Sequence, residues 1–246
     1  MSPKAEQYSM PYTVIKQTCA NFSFGLERIR MSATLITPIL GIGGVNLPSL
    51  SSTIPHINAD INAIDARGLT GLAWAATSND VTSVELLLSH GANPNIADIR
   101  GVTPLQVTTS GSCMQRLIEY GANIHAKDNL EQTALFSCYH AAPSDALRCI
   151  DLLLGSGADI DHAVHDGFTF LHFCVQSDRP DLVQALLARG ANYMIVSKDR
   201  SSIVHSALRW ADAGMFEVLS RNKLRGLSLE HRDAFGSTGA MLADKR

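Results

Sequence analysis

The chain has 246 residues, 46% hydrophobic and 17% charged, which suits one ordinary domain or two small ones with a buried core. A formal charge of -3 leaves no excess of Lys and Arg to neutralise phosphates, so nucleic acid is not the expected partner and another protein is. The five cysteines (Cys19, Cys113, Cys138, Cys149 and Cys174) show neither CxxC spacing nor a leader before them, which argues for an intracellular protein, cytoplasmic or nuclear.

In chain order, residues 1–30 carry no clear pattern and are expected to be poorly ordered. Met31 to Ile54 lacks charge, but Pro38, Gly41, Gly43, Gly44 and Pro48 interrupt it, with Ser49, Ser51 and Ser52 close behind. A spanning helix wants about 20 mainly apolar residues, so no membrane segment is expected. Gly41-Ile-Gly-Gly44 lacks the Gly-Lys-Ser ending of a phosphate loop and any strand-helix alternation after it. Residues 1–56 therefore read as an N-terminal segment, partly disordered or a degenerate repeat over 31–63 whose helices Pro48 and Pro55 would break.

From residue 57 onward the sequence repeats. Gly-Ala followed by Asn or Asp occurs at Gly91, Gly121, Gly157 and Gly190, so the glycines lie 30, 36 and 33 residues apart. A leucine-rich run ends three residues before each of them, at Leu88, Ile118, Leu154 and Leu187, the pattern of a helix with a glycine stop. About six residues later comes an Asp-x-x-Gly-x-Thr unit: Asp65 to Thr70, Asp98 to Thr103, Asp128 to Thr133 with Glu131 for glycine, and Val164 to Thr169. Ser197 to Ser202 is a degenerate copy, and Asp233 to Thr238 opens another. Thr or Ser caps a following helix, Pro104 suits its first turn, and Asp or Asn bonds its own backbone in a tight turn.

These residues resemble the ankyrin-repeat family, whose pattern is Asp-x-x-Gly-x-Thr-Pro-Leu-His-x-Ala, a leucine-rich helix and Gly-Ala-Asp-x-Asn. The resemblance covers residues 57–246 and implies an all-α fold, an ankyrin-type α-solenoid of stacked helix-turn-helix repeats with β-turn fingers. The repeats fall at about 65–97, 98–127, 128–163, 164–196 and 197–232, with a partial copy at 233–246 that suggests a longer array. No copy keeps the full tetrad: Thr70-Gly-Leu-Ala73, Thr103-Pro-Leu-Gln106, Thr133-Ala-Leu-Phe136, Thr169-Phe-Leu-His172 and Ser202-Ile-Val-His205. The second repeat is three residues shorter than the first between its Thr and Gly, and the third is three longer. Both changes are expected in loops between paired helices.

Ten residues after each repeat start stand Ala75, Thr108, Cys138, Cys174 and Ala207, a small core-facing slot, so the cysteines read as structural. His162 and His165 among Asp159, Asp161 and Asp166 have a ligand-like composition, yet they span an exit turn and a finger, where polar residues serve turns. No metal, cofactor or catalytic residue is expected. His172 and His205 occupy the family's motif histidine, whose implied role is a hydrogen bond holding adjacent loops together.

The family's variable positions, on fingers and first-helix ends, line its concave face. In this chain they include Arg67, Leu69, Arg100, Val102, Gln132, Tyr139, His140, His165, Phe168, Gln176, Asp199 and Trp210. The function implied is non-catalytic capture of a protein partner on this strip, with the oligomeric state left open. The alternatives are an enzyme using the His and Asp cluster around Tyr139, His140, His165 and Asp166, or a piece of a larger regulatory or sensing ankyrin protein.

Overall fold

The structure is a computed structural model that describes residues 60–222, 226, 228 and 230–243. The expectations for residues 1–56 lie outside the described residues. Residues 58–246 group as one compact unit.

Helices come in pairs. α1 (Gly71–Thr77) and α2 (Val81–Ser89) form the first repeat, α3 (Pro104–Val107) and α4 (Gly111–Glu119) the second. The third has a 3₁₀ helix, Ala134–His140, and α5 (Pro143–Gly155). Then follow α6 (Phe170–Gln176) with α7 (Pro180–Ala188), α8 (Ile203–Trp210) with α9 (Ala213–Arg221), and α10 (Gly239–Ala243). First helices stack on first helices and second on second, so each repeat completes its neighbour's core.

The local chemistry explains the ends of these helices. Thr70 Oγ1 accepts from the Ala73 N–H at 3.1 Å and Asp80 Oδ1 from Thr82 and Ser83, closing the starts of α1 and α2. Such a cap contributes about 1 kcal/mol. At the far end of α2, Gly91 takes φ +89, which turns the chain so that the Ala92 N–H reaches the Leu87 carbonyl at 3.0 Å. Ala122 to Leu117, Ala158 to Leu153 and Ala191 to Leu186 repeat that bond, which is why Gly-Ala follows every leucine run.

The core is a set of columns. Leu72, Leu105, Leu135 and Leu171, at the same place in successive first helices, are all buried, and each contributes about 2 kcal/mol. Ala75, Thr108, Cys138, Cys174 and Ala207 form a second buried column, as their spacing implies.

The length changes do not fall in loops. The second repeat loses its residues from the first helix, reduced to the single turn of α3, while the third adds them to its second helix, which reaches 13 residues. A shortened α3 loses helical bonds, and the preceding repeat supplies substitutes. Asn79 Oδ1 accepts from the N–H groups of Thr109 and Ser110, each at 3.0 Å.

Candidate partner-binding face

Each finger is built around its first residue. Asp65 Oδ1 accepts from the N–H groups of Arg67 and Leu69, Asp98 Oδ1 from Arg100 and Val102, and Asp128 Oδ1 from Leu130 and Gln132, all at 2.8 to 2.9 Å. Asp233 does the same for Phe235 and Ser237. Val164 cannot, and its finger closes on backbone bonds alone, Val164 N–H to Phe168 O and Gly167 N–H to Val164 O. The aspartates are turn builders, and their carboxylates are committed to the backbone.

Successive fingers are tied by a main-chain rung. Ile99 N–H donates to Arg67 O, Asn129 to Arg100, Lys198 to Asp166 and Ala234 to Asp199, at 2.7 to 3.1 Å. A second set of bonds rises from the first helices. Gln106 Oε1 accepts from the Thr103 N–H while its Nε2 donates to Gln132 O at 2.7 Å in the next finger. His205 repeats the device: Nδ1 accepts from the Ser202 N–H and Nε2 donates to His231 O at 3.0 Å. His172 makes the Thr169 bond, and its Nε2 faces the Ile195 backbone without a hydrogen bond of normal length. Burial holds the His172 pKa down at about 4.

The candidate residues divide by what already holds them. Arg100 is hydrogen-bonded through Nε and Nη2 to the buried Asp98 carboxylate, at 3.0 and 2.9 Å. Arg67 lies beside Asp65 and stacks its guanidinium over Trp74, 5.0 Å from the ring centre. Leu69 and Val102 are half-buried, and their carbonyls close the turns at Asp65 and Asp98. The Gln132 carbonyl receives Gln106, and Gln176 Nε2 reaches Ser206 Oγ at 3.4 Å. Asp199 accepts from Ser197 and Ser201; burial raises its pKa, but these bonds outweigh it and the net shift is downward.

Tyr139 is half-buried in an aromatic cluster, edge-on to Phe173 at 4.9 Å and to His140 at 5.0 Å. Arg179 lies over its ring and donates to its carbonyl at 2.7 Å. Burial first, and then the Arg179 charge, lower the pKa of His140. Phe168 meets His172 edge-on, whereas His165 and Trp210 are exposed.

Sequence reasoning missed Ile99 and Phe235, 71% and 52% exposed on their finger tips. A turn is expected to be polar, so an apolar residue inside Asp-x-x-Gly is itself the signal. Arg209 was also missed; it bridges to the buried Asp233 at 2.5 Å and lies over Phe235.

His162 Nε2 donates to Glu131 O at 2.7 Å, and among the described residues no three His, Cys, Asp or Glu are placed to hold a metal. Two open depressions, of about 370 and 540 Å³, lie beside Tyr193 and beside Leu152. Neither is lined by Tyr139, His140, His165 or Asp166. No helix among the described residues is long and apolar enough to cross a membrane.

The family model of ankyrin repeats matches three times, over residues 46–128, 107–197 and 138–233. The chain belongs to the ankyrin-repeat family. It is similar to B-cell lymphoma 3 protein of Homo sapiens, 30% identical over 66% of this chain and 40% of that one. Potassium channel AKT2/3 of Arabidopsis thaliana is 26% identical over 67% of the chain and 24% of its own length. The chain thus spans a minority of each of these relatives. Among solved structures, the ankyrin repeat domain of human ASB11 superposes with TM-score 0.68 at 25% identity, covering 80% of this chain and 86% of that domain. The ankyrin repeat domain of Bcl-3, described as a unique member of the IkappaB protein family, gives 0.67 at 25%, covering 85% and 92%.

Proposed function

We propose that this ankyrin array captures a protein partner along its fingers and first-helix ends and performs no catalysis of its own. The observation that carries the reading is the presentation of large apolar side chains on rigid tips. Ile99, Leu130 and Phe235 stand 71%, 47% and 52% exposed on backbones held by aspartate turns and inter-finger rungs. A surface ordered before binding loses little entropy on binding, so a few anchors suffice for affinity. The finger strip with Arg67, His140, His165, Phe168 and Trp210 is the proposed contact face.

Arg100 has a second duty on Asp98, so a clean test leaves it intact. Replacing Ile99, Leu130 and Trp210 together by Ser should cut partner recovery from native cell extract about tenfold or more, with the circular dichroism of the array unchanged. Undiminished recovery by a folded triple variant would remove this strip from the interface.

A further inference from the structure

Junctions between repeats are not equally tied. In the layer of exit loops and fingers, two kinds of directional bond recur. One is the main-chain rung between neighbouring fingers, present from the first to the second, second to third, fourth to fifth and fifth to sixth. The other is a clasp in which an Asn or Asp of one exit loop accepts from a backbone N–H of the next. Asn62 accepts from Asn93, Asn95 from Asn123 and Asp161 from Asn192, at 2.7 to 2.8 Å.

Counting each exit loop with the finger that follows it, both are missing, among the described residues, between the third such layer (residues 121–133) and the fourth (157–169). Among the described residues, no backbone hydrogen bond joins Leu130 to His165, where the rung would fall. His125 stands at the clasp position and makes no bond to Asp159. Phe136 takes the place that Gln106 and His205 use to reach the following loop or finger. What links these two layers among the described residues is a side-chain bond, His162 Nε2 to Glu131 O.

In the helix layer the same junction is held by packing. Phe136 meets Phe170 at 5.3 Å and Phe173 at 6.0 Å, and Tyr139 meets Phe173 at 4.9 Å. Two arginines add side-chain bonds, Arg179 to Tyr139 O and Arg189 to Asp151. Ring contacts give cohesion without a required direction, since tilted and edge-on arrangements over a range of separations are all favourable. A main-chain rung fixes direction. Removing the rungs while keeping the rings leaves a joint that coheres but does not set its angle.

We infer that the junction between the third and fourth repeats is a hinge, about which residues 65–155 and 157–222 move as two blocks, the exit loop 157–163 going with the finger it precedes, pivoting on the aromatic packing of Phe136, Tyr139, Phe170 and Phe173. Because the pivot lies in the helix layer, motion opens or closes the finger side. Leu130 then moves relative to His165 and Phe168. That this resizes the partner-binding strip rests on the binding reading above; the hinge itself does not.

Spin-label distance distributions test it directly. Cys113, Cys138, Cys149 and Cys174 are buried, so in a Cys19→Ser background thiol labels go to introduced surface cysteines. Three pairs each span two repeat steps on exposed finger residues: Ala66→Cys with Asn129→Cys, Asn129→Cys with Lys198→Cys, and His165→Cys with Ala234→Cys. Only the middle pair straddles the proposed hinge. Its distribution should be about twice as wide as the other two, as expected when collective hinge motion adds to local label motion. Adding His162→Ala should widen that pair further and leave the pair at 66 and 129 unchanged. Equal widths for all three pairs would overturn the hinge, whatever the array binds.

Discussion

Fingers closed by glycine and fingers closed by another residue solve one backbone problem in two ways. Gly68, Gly101, Gly167 and Gly236 take φ of +75 to +80 at the third-to-fourth step of the turn. Glu131 and Arg200 take the same left-handed conformation, at φ +63 and +60, without glycine's freedom. Each then receives a histidine from the following exit loop. His162 Nε2 donates to Glu131 O at 2.7 Å and His231 Nε2 to Arg200 O at 3.1 Å, both 31 residues downstream. A strained turn is tolerated where the surrounding structure over-determines it, and here the support comes from the next repeat.

The largest expected effect comes from breaking the glycine solution. Gly167→Ala would force a side chain onto φ +80 and bring its Cβ within 2.9 Å of the Lys198 backbone nitrogen. That nitrogen belongs to the rung into the fifth finger, so the clash cannot be relieved by a side chain moving aside. A loss of about 3 kcal/mol in urea unfolding is expected, combining left-handed strain with overpacking. A loss below the strain alone would mean that the finger shifts freely.

Acid should come next. The folded-state pKa of His172, at about 4, lies below the ordinary value of 6.5, so the unfolded chain binds the extra proton more readily. Stability is therefore fully present above about pH 6.5, declines as pH falls toward 4, and is reduced by about 2 kcal/mol at pH 5. His172→Gln should flatten that decline, because Gln106 already makes the equivalent cap in the second repeat without a titratable ring. Unfolding curves at pH 7 and pH 5 for the two proteins measure it, and an unchanged pH slope would assign the acid sensitivity elsewhere.

The smallest effect sharpens the contrast. Arg200→Gly should stabilise by roughly 0.5 to 1 kcal/mol, the relief of left-handed strain less the entropy glycine adds to the unfolded chain. The His231 bond reaches the main-chain carbonyl and survives the change. A thermal melt that moved downward would show that the Arg200 side chain does something beyond tolerating the turn.

What could be read from the sequence was what adjacent residues decide. The Gly-Ala stops, the Thr caps, the leucine column and the thiol slot are local patterns, and the helix pairs follow them. What could not be read depends on residues about thirty positions away. Asn79 bonds the turn after α3, which lets the second repeat shed helical residues instead of loop. His162 reads as a turn residue until the carbonyl it serves is seen, and His231 serves a second such carbonyl. For the candidate strip, Arg100 read as an open anchor, although Asp-x-Arg in a turn places the guanidinium beside its own finger's carboxylate. Ile99 went unread because turns are searched for polar residues.

The partner-binding face is tested most directly by site-specific photocrosslinking in native extract. A photoreactive phenylalanine analogue replaces either Ile99, on the finger tips, or Leu147, exposed on the second helix of the third repeat. Both positions present large apolar side chains to solvent, so non-specific adhesion would mark them alike. Discrete adducts to one protein from position 99, absent from position 147, are the predicted result. Adducts from position 147 with none from position 99 would place the interface on the second helices and contradict the finger-face reading.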